Sequence, residues 1–215
     1  MFILKYLDLL SPLALLLFIF FNNKLFVRRS YIFWFLIGQT IFNGTAITLD
    51  KLFNKPNLYI YHMNCIVSFF LLTQYFSNIL TFRKVRFTTL LILAIFVVLF
   101  IYSLTKWEHL DTFNSTTFGL ASFIITTYCL LYYLQNILDP TRGNITESRE
   151  FWHVTGFFTY YAGSFFIFLT YSRLAQYGTQ NLGVLWLIHN VLLLIMCLYL
   201  FKGFTCKSSQ EKYKL

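Results

Sequence analysis

The sequence predicts an all-α membrane protein, a bundle of seven transmembrane helices with the N-terminus outside and the C-terminus inside. Three observations carry this prediction. Hydrophobic residues make up 58% of the chain and charged residues only 12%, about half the charged share of a soluble domain. Apolar runs of about twenty residues, which is enough to cross about 30 Å of hydrocarbon, recur along the whole chain. Lysine and arginine are concentrated in alternate connections between these runs.

Seven apolar segments are separated by short connections that leave no room for an inserted soluble domain. The predicted spans are 3–21, 31–49, 58–80, 87–105, 116–138, 151–176 and 182–201. We expect one transmembrane domain over 1–205 and a short basic cytoplasmic tail at 206–215. The first run contains Pro12 and ends in Asn-Asn-Lys rather than at a small-residue cleavage site. It is therefore predicted to be a retained span and not a signal peptide.

The distribution of basic residues predicts the orientation. With the N-terminus outside, 12 of the 17 Lys and Arg residues lie in cytoplasmic connections, leaving 5 on the outer side. A bias of this kind in short loops sets the topology of membrane proteins. The expected location is the cytoplasmic membrane of a bacterium, with the lipid bilayer as the surrounding partner. The net charge of +9 is assigned to these loops, and the absence of a basic stripe argues against nucleic-acid binding.

The sixth segment carries small residues and polar side chains on neighbouring stripes. Gly156, Thr159 and Gly163 recur at helical spacing, and His153, Tyr160 and Ser164 run beside them. Small residues permit the close approach of another helix, and buried hydroxyl and imidazole groups need partners within a bundle. The sequence therefore predicts that this helix packs against others inside a membrane.

Polar residues inside predicted spans are candidates for a ligand site, since such groups are costly in hydrocarbon. Seven of them fall towards the predicted outer surface: Gln39, Asn43, Asp50, His62, Asn64, His189 and Asn190. In the second span, Gln39, Asn43 and Asp50 share one helical face. We expect the seven to form an outward-facing polar pocket, although interhelical hydrogen bonds and interfacial caps explain such residues equally well.

Four of the outer residues have side chains that metals prefer. Asp50, His62, His109 and His189 could hold zinc or another divalent ion, or could act as a proton-sensing group. Their spacing contains neither HxxxH nor HExxH, so no cofactor is predicted and the metal remains an alternative. The four cysteines stand singly and indicate neither a disulfide framework nor a zinc ribbon.

A second polar group is predicted on the inner side. Tyr132 lies near the end of the fifth span, and Glu150 and His153 share a helical face at the start of the sixth. The pair could relay a proton or hold a basic group of a partner. A helix-capping acid beside an interfacial histidine is the alternative.

The segment from Pro140 to Lys202 resembles a group of uncharacterised small bacterial seven-helix membrane proteins. The resemblance rests on Phe151-Trp152, Tyr160-Tyr161 and Gly163 in the sixth span, and on Leu185-Trp186 and His189-Asn190 in the seventh. Such proteins look like companions or sensor parts of histidine kinases. The resemblance therefore implies a cytoplasmic histidine kinase, or a similar signalling protein, as the partner, and it implies no catalytic residue.

These observations favour a non-enzymatic membrane sensor or accessory subunit for a cytoplasmic signalling partner. The chain has no GxSxG motif and no glycine-rich phosphate loop. One alternative is a metal-dependent lipid hydrolase that uses the four outer candidates. Another is a small transporter or channel that uses the polar face of the second span, although no internal repeat is visible.

Overall fold

The computed structural model is helical throughout the residues that it describes, which are 3–22, 30–82, 84–138, 145–176 and 182–206. Seven α-helices lie in these ranges: α1 Leu7–Phe21, α2 Tyr31–Lys51, α3 Leu58–Ile79, α4 Val85–Lys106, α5 Ser115–Leu138, α6 Arg149–Gln176 and α7 Leu182–Thr205. Short 3₁₀ segments, Ile3–Tyr6 and Ile145–Glu147, precede α1 and α6. The described residues contain no β-strand, and the all-α prediction is confirmed.

Five of the helices are long and apolar enough to cross a membrane, namely α1 (with its 3₁₀ turn), α2, α4, α5 and α7. Their mean hydropathy ranges from 1.4 to 2.6. Together they indicate a membrane protein. The other two helices, α3 and α6, are just as long, but both carry buried polar side chains such as Asn64, Ser68, His153 and Ser164.

The surface is apolar and much of the interior is polar, which is the reverse of a soluble globule. On α4, for example, Phe87 is 67% exposed and Val98 is 66% exposed, while Thr89 and Ser103 are buried. Exposed Leu, Ile and Phe side chains recur along all seven described helices. A surface of this kind is suited to hydrocarbon, and the buried polar groups must find partners within the bundle.

Two glycines bring α6 and α7 into close contact. A Cβ atom added to Gly156 would lie 3.1 Å from the Met196 carbonyl oxygen, and one added to Gly163 would lie 2.7 Å from the Leu192 side chain. The small-residue stripe of the sixth segment thus meets the last helix. The first helix packs against both α2 and α7, so the first and last helices lie side by side.

The two ends of the bundle are each tied by hydrogen bonds across the chain. At the N-terminal face, where α1 begins, His62 Nε2–H donates to the Thr112 carbonyl (3.0 Å) in the α4–α5 connection. At the C-terminal face, where α7 ends, the Gln135 side chain accepts from the Thr81 backbone N–H (2.7 Å). The position of a residue along its helix can therefore be described by its distance from the N-terminal face.

Several helices differ in length from the predicted spans. The seventh helix continues to Thr205, four residues beyond the predicted apolar end. The first α-helix starts at Leu7, after the 3₁₀ turn. The predicted tail lies outside the described residues apart from Cys206, and so do Lys24, Arg28, Arg29, Arg83 and Arg142, which helped to predict the orientation.

Candidate functional site

A group of buried polar side chains joins five helices in the half of the bundle nearer the N-terminal face. We call this group the polar core; it consists of Asp8, Gln39, Asn43, Asn64, Ser68, Tyr160, Ser164 and His189. Its members come from α1, α2, α3, α6 and α7. Six of the seven residues expected to form the outer pocket are buried, and four of them, Gln39, Asn43, Asn64 and His189, belong to the polar core.

The α2–α3 part of the polar core is a closed hydrogen-bond network. The Gln39 amide donates to Asn64 Oδ1 (3.0 Å) and to the Ser68 hydroxyl (2.8 Å). In return, the Asn64 amide donates to Gln39 Oε1 (3.3 Å), and Ser68 donates to Asn64 Oδ1 (3.0 Å). The three side chains satisfy one another, so this part of the core fixes the packing of α2 on α3.

The α1–α2 part depends on a proline. Pro12 has no N–H to donate to the carbonyl four residues earlier, and so the Asp8 carbonyl is left without its helical partner. The Asn43 side-chain amide donates to that carbonyl at 2.9 Å. A helix-breaking proline in a membrane helix is tolerated when a neighbouring side chain supplies such a bond.

The α6–α7 part holds an imidazole between two hydroxyls. The Tyr160 hydroxyl lies 3.3 Å from Nε2 of His189, and the Ser164 hydroxyl lies 3.3 Å from Nδ1. Tyr160 and Ser164 are four residues apart and so lie on one side of α6. His189 can therefore adopt either neutral tautomer and keep a hydroxyl group beside each ring nitrogen.

The parts meet at a small cavity. Asp8, Gln39, Asn43, Asn64, Tyr160 and His189 all line it, together with apolar and aromatic side chains. Its volume is about 10 Å³, which is room for roughly one water molecule. The polar core is therefore a tightly packed site and not a pocket for an organic ligand.

Aromatic rings separate this cavity from the N-terminal face. We call Tyr61, Phe113, Tyr171 and Trp186 the aromatic cover. Ring centroids are 4.7 Å apart for Phe113 and Tyr171, 5.5 Å for Tyr61 and Trp186, and 5.7 Å for Phe113 and Trp186. Trp186 also touches His189, with ring centroids 5.1 Å apart.

Asp8 is the functional candidate that the sequence analysis missed. It is only 5% exposed, and its carboxylate accepts a hydrogen bond from the Leu9 backbone N–H (3.0 Å). The ion pair found in the described residues joins Asp50 and Lys51, so Asp8 has no basic partner there. The signal was present in the sequence, because Asp8 is a lone acid within an apolar run, where such groups are rare and functional.

The remaining outer candidates lie apart from the polar core. Asp50 is at the end of α2, where its carboxylate pairs with Lys51 at 2.8 Å and its side chain is 51% exposed. His62 is fully buried but bonds to the α4–α5 connection. Asn190 faces the 3₁₀ turn, and its amide donates to the carbonyls of Leu4 (3.1 Å) and Lys5 (3.4 Å).

The four metal candidates therefore have separate environments. Asp50 is paired with Lys51, His109 is exposed, His62 donates to a carbonyl, and His189 sits between hydroxyls. Within the described ranges, no group of three or more His, Cys, Asp or Glu side chains could hold a metal ion. The divalent-metal alternative thus has no geometric support among these residues.

Glu108 has a structural role that the sequence did not indicate. It is buried, and its carboxylate accepts from Ser103 (3.0 Å), from the Thr117 hydroxyl (2.5 Å) and from the backbone N–H groups of Thr116 and Thr117. These N–H groups belong to the first turn of α5, which has no intrahelical partners for them. Glu108 therefore caps α5 and joins it to α4.

The inner candidates form a separate region at the C-terminal face. His153 is 2% exposed and packs on Phe204, with ring centroids 4.9 Å apart. Its ring occupies the space that a Cβ atom on Gly203 would need. Tyr132 is buried and Glu150 is half-buried. This region closes the α6–α7 pair at the end opposite to the polar core.

Comparison with protein-family models, with curated proteins and with solved structures gives no match. The site is therefore interpreted from its own residues.

Proposed function

We propose that the chain is a seven-span module of the bacterial cytoplasmic membrane, with its N-terminus outside, that conveys the state of its polar core to a cytoplasmic signalling partner such as a histidine kinase. It acts as a sensor or accessory subunit and not as an enzyme. The observation that carries the proposal is the buried carboxylate of Asp8, which has no basic partner among the described residues, in a polar core that joins five helices.

The composition of the polar core supports this role. A carboxylate without a basic partner destabilises a membrane bundle by several kcal/mol, and such a group is kept where its charge has a use. The cavity beside it holds about one water molecule, which leaves no space for a lipid or peptide substrate. A change in this site therefore acts through helix packing.

The α6–α7 pair supplies a path from the polar core to the C-terminal face. Ser164 and His189 hold the pair at the core, while Gly203 and His153 hold it at the other end. Between these two ends, the helices are in close contact at Gly156 and Gly163. Because closely packed helices move together, a displacement at His189 is expected at the end of α7.

Cys206 offers a native reporter at the end of α7. Cys65, Cys129 and Cys197 are at most 4% exposed, whereas Cys206 is half-buried. An environment-sensitive maleimide dye attached to Cys206 of the chain in lipid vesicles will report the C-terminal face. We expect His189→Ala to change the emission of the dye, and the Cys206→Ser variant to give no signal.

The matched control is Asn78→Ala on α3. Asn78 is exposed in the last turn of α3, about three turns beyond Ser68, so its removal is expected to leave the dye unchanged. Equal spectra for His189→Ala and the parent would contradict the proposal. So would turnover of a lipid by the purified protein that is lost in both His62→Ala and His189→Ala.

A further inference from the structure

We propose that the ligand of the polar core is a proton, bound in the cavity shared by Asp8 and His189. The inference rests on the proposed function and names its signal. An ionised Asp8 beside a neutral His189 takes up one proton from water at the N-terminal face. The proton binds to the imidazole of His189, and the charge of the polar core changes from one negative charge to none.

The size of the cavity selects the ligand. With room for about one water molecule, the cavity excludes organic molecules and hydrated divalent ions. Three rings of the aromatic cover, those of Tyr61, Phe113 and Trp186, line the cavity and contact one another. A proton needs only a transient water contact to pass such a cover, whereas a larger ligand requires the rings to move apart.

The lining supplies an imidazole that accepts the proton, a carboxylate that stabilises the resulting positive charge, and neither Lys nor Arg. Asp8 and His189 both line the cavity, and the other polar members are three amides, two phenols and the Trp186 indole. The ionisable groups that line the cavity with Asp8 are Tyr61 on α3, Tyr160 on α6 and His189 on α7. The nearest ionisable groups along the chain are Lys5 and Tyr6 in the 3₁₀ turn, and the end of α2 carries Asp50 and Lys51. Of these, Lys5 and the Asp50–Lys51 pair are exposed, so solvent screens their charges.

The position of Asp8 explains how its charge can influence packing. Its carbonyl accepts from Asn43 on α2, and Asp8 lines the same cavity as His189 on α7. Proton uptake by His189 changes the charge in a cavity that all three helices border. Protonation therefore alters three helices at a single point.

Trp186 allows the proton to be observed directly. Its ring contacts His189, and an imidazolium quenches indole fluorescence more strongly than a neutral imidazole. The triple substitution Trp34→Phe, Trp107→Phe and Trp152→Phe leaves Trp186 as the sole tryptophan of the chain. Its emission from the full chain in nanodiscs is recorded between about pH 4 and about pH 9, which spans the titration of carboxyl and imidazole groups.

We expect one reversible step in the single-tryptophan parent. Asp8→Asn should move its midpoint by about one pH unit or more, since a neighbouring charge shifts titration by that amount, and His189→Gln should abolish the step. Asp50→Asn, which removes an exposed acid at the same face, is the matched control and should leave the midpoint unchanged. Asp8→Glu retains a carboxyl group and serves if Asp8→Asn does not fold: its step should persist with a displaced midpoint.

The proposal is overturned if the parent shows no step, or if the midpoint is the same in every Asp8 variant. It is also overturned if replacing sodium by N-methylglucamine at constant pH reproduces the change, because the ligand is then a metal cation. The proposed function is tested separately. A normal Trp186 step with no response of the Cys206 dye would retain the proton site and reject the signalling role.

Discussion

Single polar residues in this molecule have roles that follow from what they touch, and three carboxylates show the range. Asp50 is exposed and paired with Lys51, an arrangement that contributes little to stability. Glu108 is buried but receives four hydrogen bonds. Asp8 is buried and accepts a hydrogen bond from the Leu9 N–H. Of these three carboxylates, Asp8 is therefore the one with neither a basic partner nor a set of side-chain donors among the described residues.

Glu108 is expected to be essential for stability at the residue scale. In Glu108→Gln, one oxygen becomes an NH₂ group that faces the N–H groups of Thr116 and Thr117, so that donors oppose donors. We expect the free energy of unfolding to fall by about 2 kcal/mol, measured by SDS titration in mixed micelles. Asp111→Asn, an exposed acid in the same connection, is the control and should change stability by less than about 0.5 kcal/mol. Equal stabilities for both variants would show that Glu108 is not a cap.

At the scale of helices, polar side chains replace the hydrogen bonds that the backbone lacks. The Asn43 amide serves the Asp8 carbonyl freed by Pro12, and the Asn190 amide serves the carbonyls of the 3₁₀ turn. Both asparagines were expected to belong to a ligand pocket. Their actual partners are backbone groups of α1 and its approach, and so they hold the first helix between α2 and α7.

The link between Pro12 and Asn43 predicts a non-additive pair of substitutions. Asn43→Ala leaves the Asp8 carbonyl without a donor and should cost about 1 kcal/mol of unfolding free energy. In a Pro12→Ala background the backbone N–H of residue 12 can donate to that carbonyl, so the same Asn43→Ala change should cost close to nothing. The double-mutant cycle, measured by SDS titration, gives the coupling energy directly.

The control cycle combines Pro12→Ala with Asn78→Ala on the exposed side of α3. Distant sites are expected to be additive. An additive result for Pro12 with Asn43 would mean that the carbonyl finds another partner, and that Asn43 is held for a different reason.

At the scale of the whole molecule, the sequence predicts the helices well because hydrocarbon requires long apolar runs with satisfied backbones. Composition and segment length therefore suffice for the all-α architecture. The membership of the polar core is harder to predict, since helical spacing places Gln39, Asn43 and Asp50 on one face without giving the depth of the neighbouring helices. Asp50 belongs to the same stripe as Gln39. It lies in the last turn of α2, however, where its exposed carboxylate pairs with Lys51.

Two further parts of the site depend on contacts that no local pattern encodes. The aromatic cover combines rings from α3, the α4–α5 connection, α6 and α7, and these meet only after the bundle has assembled. Glu108 resembles a loop acid until its distance to the first turn of α5 is known. Asp8, by contrast, could have been selected from the sequence by the cost of a lone carboxyl group in an apolar segment.

The number of membrane crossings is the property on which the proposed signalling role depends, and Cys206 tests it. If seven spans place the N-terminus outside, a membrane-impermeant maleimide should label Cys206 in inside-out vesicles and not in right-side-out vesicles, since the positive-inside rule directs the end of α7 inward. Lys5→Cys in a Cys206→Ser background should show the opposite pattern, because Lys5 is exposed at the N-terminal face. Cys206→Ser alone should remain unlabelled, as the other cysteines are buried. Labelling of both positions from the same side would require an even number of crossings, and Asp8 and the C-terminal face could then not lie on opposite sides of the membrane.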